Sequence, residues 1–136
     1  MTFRNDDSVS DDTLLLRRIP SRPKLTIIWD SNLGCWRPSS AAFEDHKNGS
    51  PMSIVLEDTL IELGRALDSA LTGHETGFSL AAITAGTARE NNQGVARDPV
   101  DDEPAHGVVF GRKTKKTSRN LARSSTWIVE PDLAEP

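Results

Sequence analysis

Asp98-Pro99-Val100-Asp101-Asp102-Glu103-Pro104-Ala105-His106-Gly107-Val108-Val109-Phe110-Gly111 is the stretch on which the reading of the fold turns. β-Branched Val108 and Val109, followed by an aromatic ring, make Ala105 to Phe110 the clearest late strand. An acidic, proline-bounded loop precedes it. A segment without a single acidic residue, Arg112 to Arg123, follows it. In that segment Ser118 reads as the cap of a short helix holding Leu121 and Ala122. Trp127-Ile128-Val129 reads as a closing strand. Strands with interspersed short helices point to an α+β domain, built on a small mixed or antiparallel sheet with two to four short helices.

Working toward the N-terminus, Val95-Ala96-Arg97 is a short strand ended by Asp98-Pro99. Phe78 to Ile83 reads as a strand, with Thr84 capping a helix that stops at Asn91-Asn92-Gln93-Gly94; the alternative is one helix from Ser79 to Asn92. Leu56, Leu60, Leu63, Leu67 and Leu71 draw one apolar stripe at helical spacing, which predicts a single helix ended by Gly73. Gly64 lies inside it, at a cost of about 1 kcal/mol against alanine. Met52 to Leu56 is a strand entered from the turn Lys47-Asn48-Gly49-Ser50-Pro51. Leu25 to Trp29 is β-prone, and Asp30-Ser31-Asn32-Leu33-Gly34 supplies turn chemistry for a hairpin that returns through Trp36. Leu14 to Ile19 is a first extended segment, closed by Pro20 and Pro23.

The chain has 136 residues, enough for one domain. Residues 13–130 are assigned to it. The head, 1–12, carries four aspartates and one arginine, and with the tail, 131–136, is expected to be disordered. The net charge of −4 argues against a surface that binds nucleic acid all over. A lone cysteine, Cys35, excludes an internal disulfide. No run of about 18 apolar residues appears, so no membrane helix is expected. The acidic N-terminus is unlike a signal peptide, and a cytoplasmic location follows as the default.

His106 is the foremost candidate for acid–base chemistry, because imidazole titrates near neutrality. Pro104 and Gly107 would hold the backbone around it and leave room for a ligand. The bland alternative is a histidine that ends a strand by a hydrogen bond. The basic segment offers Arg112, Lys113, Lys115 and Lys116 beside a helix start, where free N–H groups and ammonium groups could meet one anion. Its alternative is a solvated face. Arg37 and Ser39, at the start of Arg37-Pro38-Ser39-Ser40, have the chemistry to hold phosphate, although a serine there also looks like any helix cap. Arg97 would steady developing negative charge. Arg17 and Arg18 point to opposite faces of a strand, so at most one reaches a common pocket. The acidic run Asp98, Asp101, Asp102 and Glu103 lacks calcium-loop spacing and reads as a solvated loop. The three scattered histidines and one cysteine show no zinc spacing. Gly111-Arg112-Lys113-Thr114 lacks the glycine spacing of a phosphate-binding P-loop. No metal and no cofactor are assigned.

The segments Arg37 to Phe43, Val95 to Pro99 and Pro104 to Gly107 together resemble small bacterial proteins of unknown function, across most of the span from Leu14 to Trp127. That resemblance implies a bacterial, cytoplasmic origin and specifies no activity. More loosely, the opening Leu-Arg-Arg strand and the Ser39-Ser40 element are similar to ADP-ribosyltransferase-like folds, in which an early Arg or His and a later Ser line a nicotinamide pocket. The late part of this chain lacks the catalytic Glu motif of those folds. The expectation is an interaction module whose basic face beside His106 takes an anionic partner: a nucleotide, an RNA end or an acidic protein surface. The alternative is a small enzyme on a nucleotide, NAD or a phosphodiester, with His106 as general acid or base.

Overall fold

The computed structural model describes residues 2–136 as an α+β fold, mostly sheet. The strands are β1 (Leu14–Pro20), β2 (Ile27–Asp30), β3 (Cys35–Pro38), β4 (Met52–Leu56), β5 (Phe78–Thr84), β6 (Gly94–Arg97), β7 (His106–Phe110) and β8 (Thr126–Val129). Three helices join them: α1 (Glu57–Glu62), α2 (Ala85–Glu90) and α3 (Lys115–Ser124). Six strands form one antiparallel sheet in the order β6-β7-β4-β1-β5-β8, while β2 and β3 make a separate ribbon. The ribbon is the expected hairpin, with Trp29 opposite Trp36. Their rings meet edge to face, 5.4 Å apart.

The two sheet faces are covered unequally. Leu15 and Ile19 of β1 point to a layer made by Ala85 and Ala88 of α2, Leu121 and Ala122 of α3, and Phe43. Complete burial of each large aliphatic side chain there contributes about 1.5–3 kcal/mol. The other face carries a smaller cover, Leu60 of α1 with Ala70, Leu71 and Ala105 over Leu16, Val55 and Leu80. Part of that face stays open.

The strand β1 is central, and it pairs with β5 along all seven residues. Its pairing with β4 covers only Leu15↔Leu56 and Leu16↔Val55. Beyond Leu16 the two strands part, and Arg17 fills the gap. Its Nε donates to the Ala42 carbonyl at 2.9 Å, and Nη1 to the Ser53 carbonyl at 2.9 Å. Burial pushes this guanidinium down to about 10.

Three expectations are corrected. The leucine stripe does not make one helix: α1 stops at Glu62, and a 3-10 turn spans Leu67–Leu71. Gly64 is the terminator, with φ of 68°. Arg65 N–H bonds to Leu60 O at 2.9 Å and Gly64 N–H to Ile61 O at 3.0 Å, the paired closure of a left-handed helix end. The stripe therefore breaks, and Leu63 is exposed. Second, Ser118 does not cap α3. Thr114 does, accepting from Thr117 N–H at 3.1 Å, and Ser118 is buried one turn inside. Third, the acidic head is packed. Val9 is fully buried, and Asp6 N–H bonds to Val95 O at 2.8 Å on the outer edge of β6. Arg89 grips Asn5, Asp11 and the Asp6 carbonyl, so the aspartates find partners that composition hides. The tail, 131–136, has no helix or strand. The strand β5 followed by α2 is as expected, with Thr84 accepting from Thr87 N–H at 3.0 Å. No helix among the described residues is long and apolar enough to cross a membrane.

Candidate functional site

The open part of the less-covered face forms a basin of about 250 Å³ over the gap between β1 and β4. Leu16, Val55 and Phe78 form its apolar surface, and Arg18 and Ser53 are polar members of its lining. All three histidines of the chain, His46, His74 and His106, line it as well. They come from three separate elements: the loop before β4, the loop before β5, and the first residue of β7.

His106 is held from behind. Its Nδ1 lies 2.8 Å from the Asp98 carbonyl oxygen and 3.3 Å from the Asp98 carboxylate. A carbonyl only accepts, so Nδ1 carries the proton and the neutral ring keeps its lone pair on Nε2. That nitrogen has no hydrogen-bond partner among the described residues. The bland reading, a strand end tied by a hydrogen bond, and the functional one thus hold together: one ring nitrogen anchors and the other is free. His46 Nε2 is 3.1 Å from Ser53 Oγ. Register places Ser53 opposite Val108 and Val55 opposite His106, so these four side chains share one face. His74 packs edge-on against Phe78 at 5.2 Å.

Both arginines of β1 border the basin, contrary to the expectation that at most one would. Arg17 is spent on the Ala42 and Ser53 carbonyls, so Arg18 supplies the available positive charge. Its Nε donates to the Ala70 carbonyl at 2.6 Å, and its terminal nitrogens make no hydrogen bond among the described residues. Glu103 stands 4.0 Å from it, but that carboxylate is held by Arg65 through two bonds of 2.6 and 2.8 Å. The Arg65 hydrogen bonds hold the Glu103 carboxyl below the usual carboxylate range, against its burial. Glu103 is thus no member of a solvated acidic loop; it is buried under two arginines.

Of the residues expected to bind anions, only Arg112 and Lys116 share a hollow. Lys113 is only 4% exposed at its side chain, with Nζ 2.6 Å from Asp45 and 2.8 Å from the Val109 carbonyl. Its burial lowers its pKa, with Asp45 opposing. Arg97 holds Asp58 through bonds of 2.7 and 3.1 Å and lies 3.6 Å from Asp6. Arg37 sits on the ribbon, bonded to Asp30 at 3.0 Å, in a separate cleft beside Trp127. Ser39 spends its hydroxyl on the Leu25 carbonyl and caps nothing with it. Arg112 and Lys116 border another hollow with Glu90, while Lys115 is exposed on the first turn of α3. Gly107 leaves no room for a ligand: a Cβ there would meet Ala96 O at 2.8 Å and Ile54 Cδ1 at 2.9 Å. Its space belongs to the core.

The residues that the sequence reading passed over are His46, His74, Ser53 and Phe78, and Arg18 went unchosen between the two arginines of β1. Sequence held one signal for them, the scarcity of histidine itself, since three in 136 residues is few enough for convergence to mean something. Among the described residues no cluster of His, Cys, Asp and Glu could hold a metal ion. Comparison with protein families, with curated proteins and with solved structures found no match.

Proposed function

We propose that the protein binds a small phosphate-bearing ligand of mononucleotide size in the histidine basin. The observation that carries this reading is the convergence of Arg18 and all three histidines on one open, partly apolar hollow. An apolar pocket with a few converging polar groups is the usual form of a small-molecule site. Arg18 offers terminal N–H donors suited to phosphate oxygens. Imidazoles add donors, and Phe78 with His74 offers a flat apolar wall for a base or sugar. The anionic partner thus belongs to this basin rather than to the basic segment after β7.

Calorimetric titration with adenosine, uridine and guanosine monophosphates, and with inorganic phosphate, tests this. Binding of at least one nucleotide is expected, weakened about tenfold or more in His106→Gln and in Arg18→Gln, which corresponds to about 1.4 kcal/mol. Unaltered binding in both variants, or stronger loss in Lys116→Ser, would overturn the reading.

A further inference from the structure

The basin does not end at Ser53. A second hollow of about 340 Å³ begins there, and His46, Ser53 and His106 line both. Beyond that shared rim the first hollow reaches Phe78 and the second reaches Phe3 and Pro51. A phosphate seated at the rim has room for a substituent on either side, each toward an aromatic ring. A phosphomonoester would fill only one side; a phosphodiester fills both.

The rim also has the groups for a reaction. His106 is fixed through Nδ1, and its Nε2 is a base. His46 comes from a different loop and touches the other member of the rim, Ser53. Arg18 lies on the same hollow to balance charge that builds on phosphoryl oxygens. One base, one acid and one cation suffice for a phosphodiester that carries its own nucleophile, the neighbouring 2′-hydroxyl of RNA.

We propose that the junction of the two hollows cleaves ribonucleoside phosphodiesters, with His106 as general base and His46 as general acid. This rests on the anion-binding reading of the basin above. His106 Nε2 takes the proton of the 2′-hydroxyl. The 2′-oxygen bonds to phosphorus, and the bond from phosphorus to the 5′-oxygen breaks. The His46 imidazolium gives its proton to the departing 5′-oxygen. The products are a 2′,3′-cyclic phosphate and a free 5′-hydroxyl. The chemical step consumes no co-reactant, and proton exchange with solvent resets both rings.

The test uses the full chain with the complete set of ribodinucleoside monophosphates, read by liquid chromatography and mass spectrometry, beside 2′-deoxy counterparts in calorimetry. Expected is a 2′,3′-cyclic phosphate from at least one ribodinucleotide, with its 2′-deoxy counterpart bound and left intact. His46→Gln and His106→Gln should each lower the rate about a hundredfold or more. His46 is exposed, so its variant folds as the parent does, and circular dichroism checks both. Lys116→Ser, on another surface, should cleave normally and controls for contaminating nuclease. Deoxy counterparts that bind while no ribodinucleotide is cut would overturn the cleavage and leave the binding site standing. Failure of binding and cleavage together would sink both. Cleavage that survives both histidine substitutions would refute the assigned roles.

Discussion

Arg112 to Arg123 carries six cations in twelve residues; the histidine basin carries two arginines, one of them buried against backbone carbonyls, and three imidazoles. By density the first is the anion site. By availability the proposed site is the second. Lys113 is spent on Asp45, Arg112 lies ahead of α3, and the remaining cations spread around that helix, whose buried face is Ser118, Leu121 and Ala122. Arg18, in contrast, makes no hydrogen bond through its terminal nitrogens among the described residues, because the carboxylate 4.0 Å away is held by Arg65. A charge becomes a ligand site only when its partners leave some of it unspent.

The comparison can be broken most forcefully at Asp45. Asp45→Ala leaves the Lys113 ammonium buried without its counter-charge, and should cost about 3–5 kcal/mol in urea unfolding. A loss below about 1 kcal/mol would mean that Lys113 is free to serve a ligand after all. Next comes Glu103→Gln, which removes the clamp on Arg65 and the neighbour of Arg18. A loss of about 2 kcal/mol is expected from the unmade charge-assisted bonds. The variant should still bind nucleotide, because the basin's own cation remains.

Acid titration sharpens the same point. Glu103 is held low by its Arg65 hydrogen bonds and Asp58 by its Arg97 hydrogen bonds. A carboxylate whose folded pKa lies below its unfolded one, about 4, stabilises fully above that value. That stabilisation is lost as pH falls through the depressed folded value. Midpoints of denaturant unfolding should therefore drop from about pH 4 downward, and the drop should be shallower in Glu103→Gln. Equal slopes in both proteins would remove Glu103 from the set of paired carboxylates.

Gly64→Ala should cost about 1 kcal/mol, since a side chain must enter the left-handed region at the end of α1. The smallest effect belongs to the basic segment itself. Lys115→Glu with Lys116→Glu places negative charge on the first turn of α3, where the helix dipole favours it. Stability should stay equal or rise by about 0.5 kcal/mol, with nucleotide affinity unchanged. Loss of affinity there would return the site to the segment.

Much of the fold was legible because it depends on local chemistry. The Trp29–Trp36 hairpin follows from turn residues between β-prone runs, and Thr84 caps α2 as its hydroxyl suggests. The leucine stripe misled because its period continues past Gly64, although Gly64 adopts the conformation that ends a helix. The head misled for another reason: its fully buried anchor, Val9, and its partner Arg89 lie about eighty residues apart. Of the site, His106 was legible from its setting. Its companions were not, because they meet only through the pairing of β4 with β7 and the parting of β1 from β4. Nothing local to His46 or Ser53 announces that geometry.

The most direct measurement follows imidazole and backbone resonances by NMR while adenosine or uridine monophosphate is added. The basin site predicts that ring signals of His46 and His106 and the Arg18 side-chain signals move together and saturate, while amides of Lys115, Lys116 and Arg119 stay in place. Movement of those amides with still histidine rings would contradict it, and would show that charge density, not availability, locates the site.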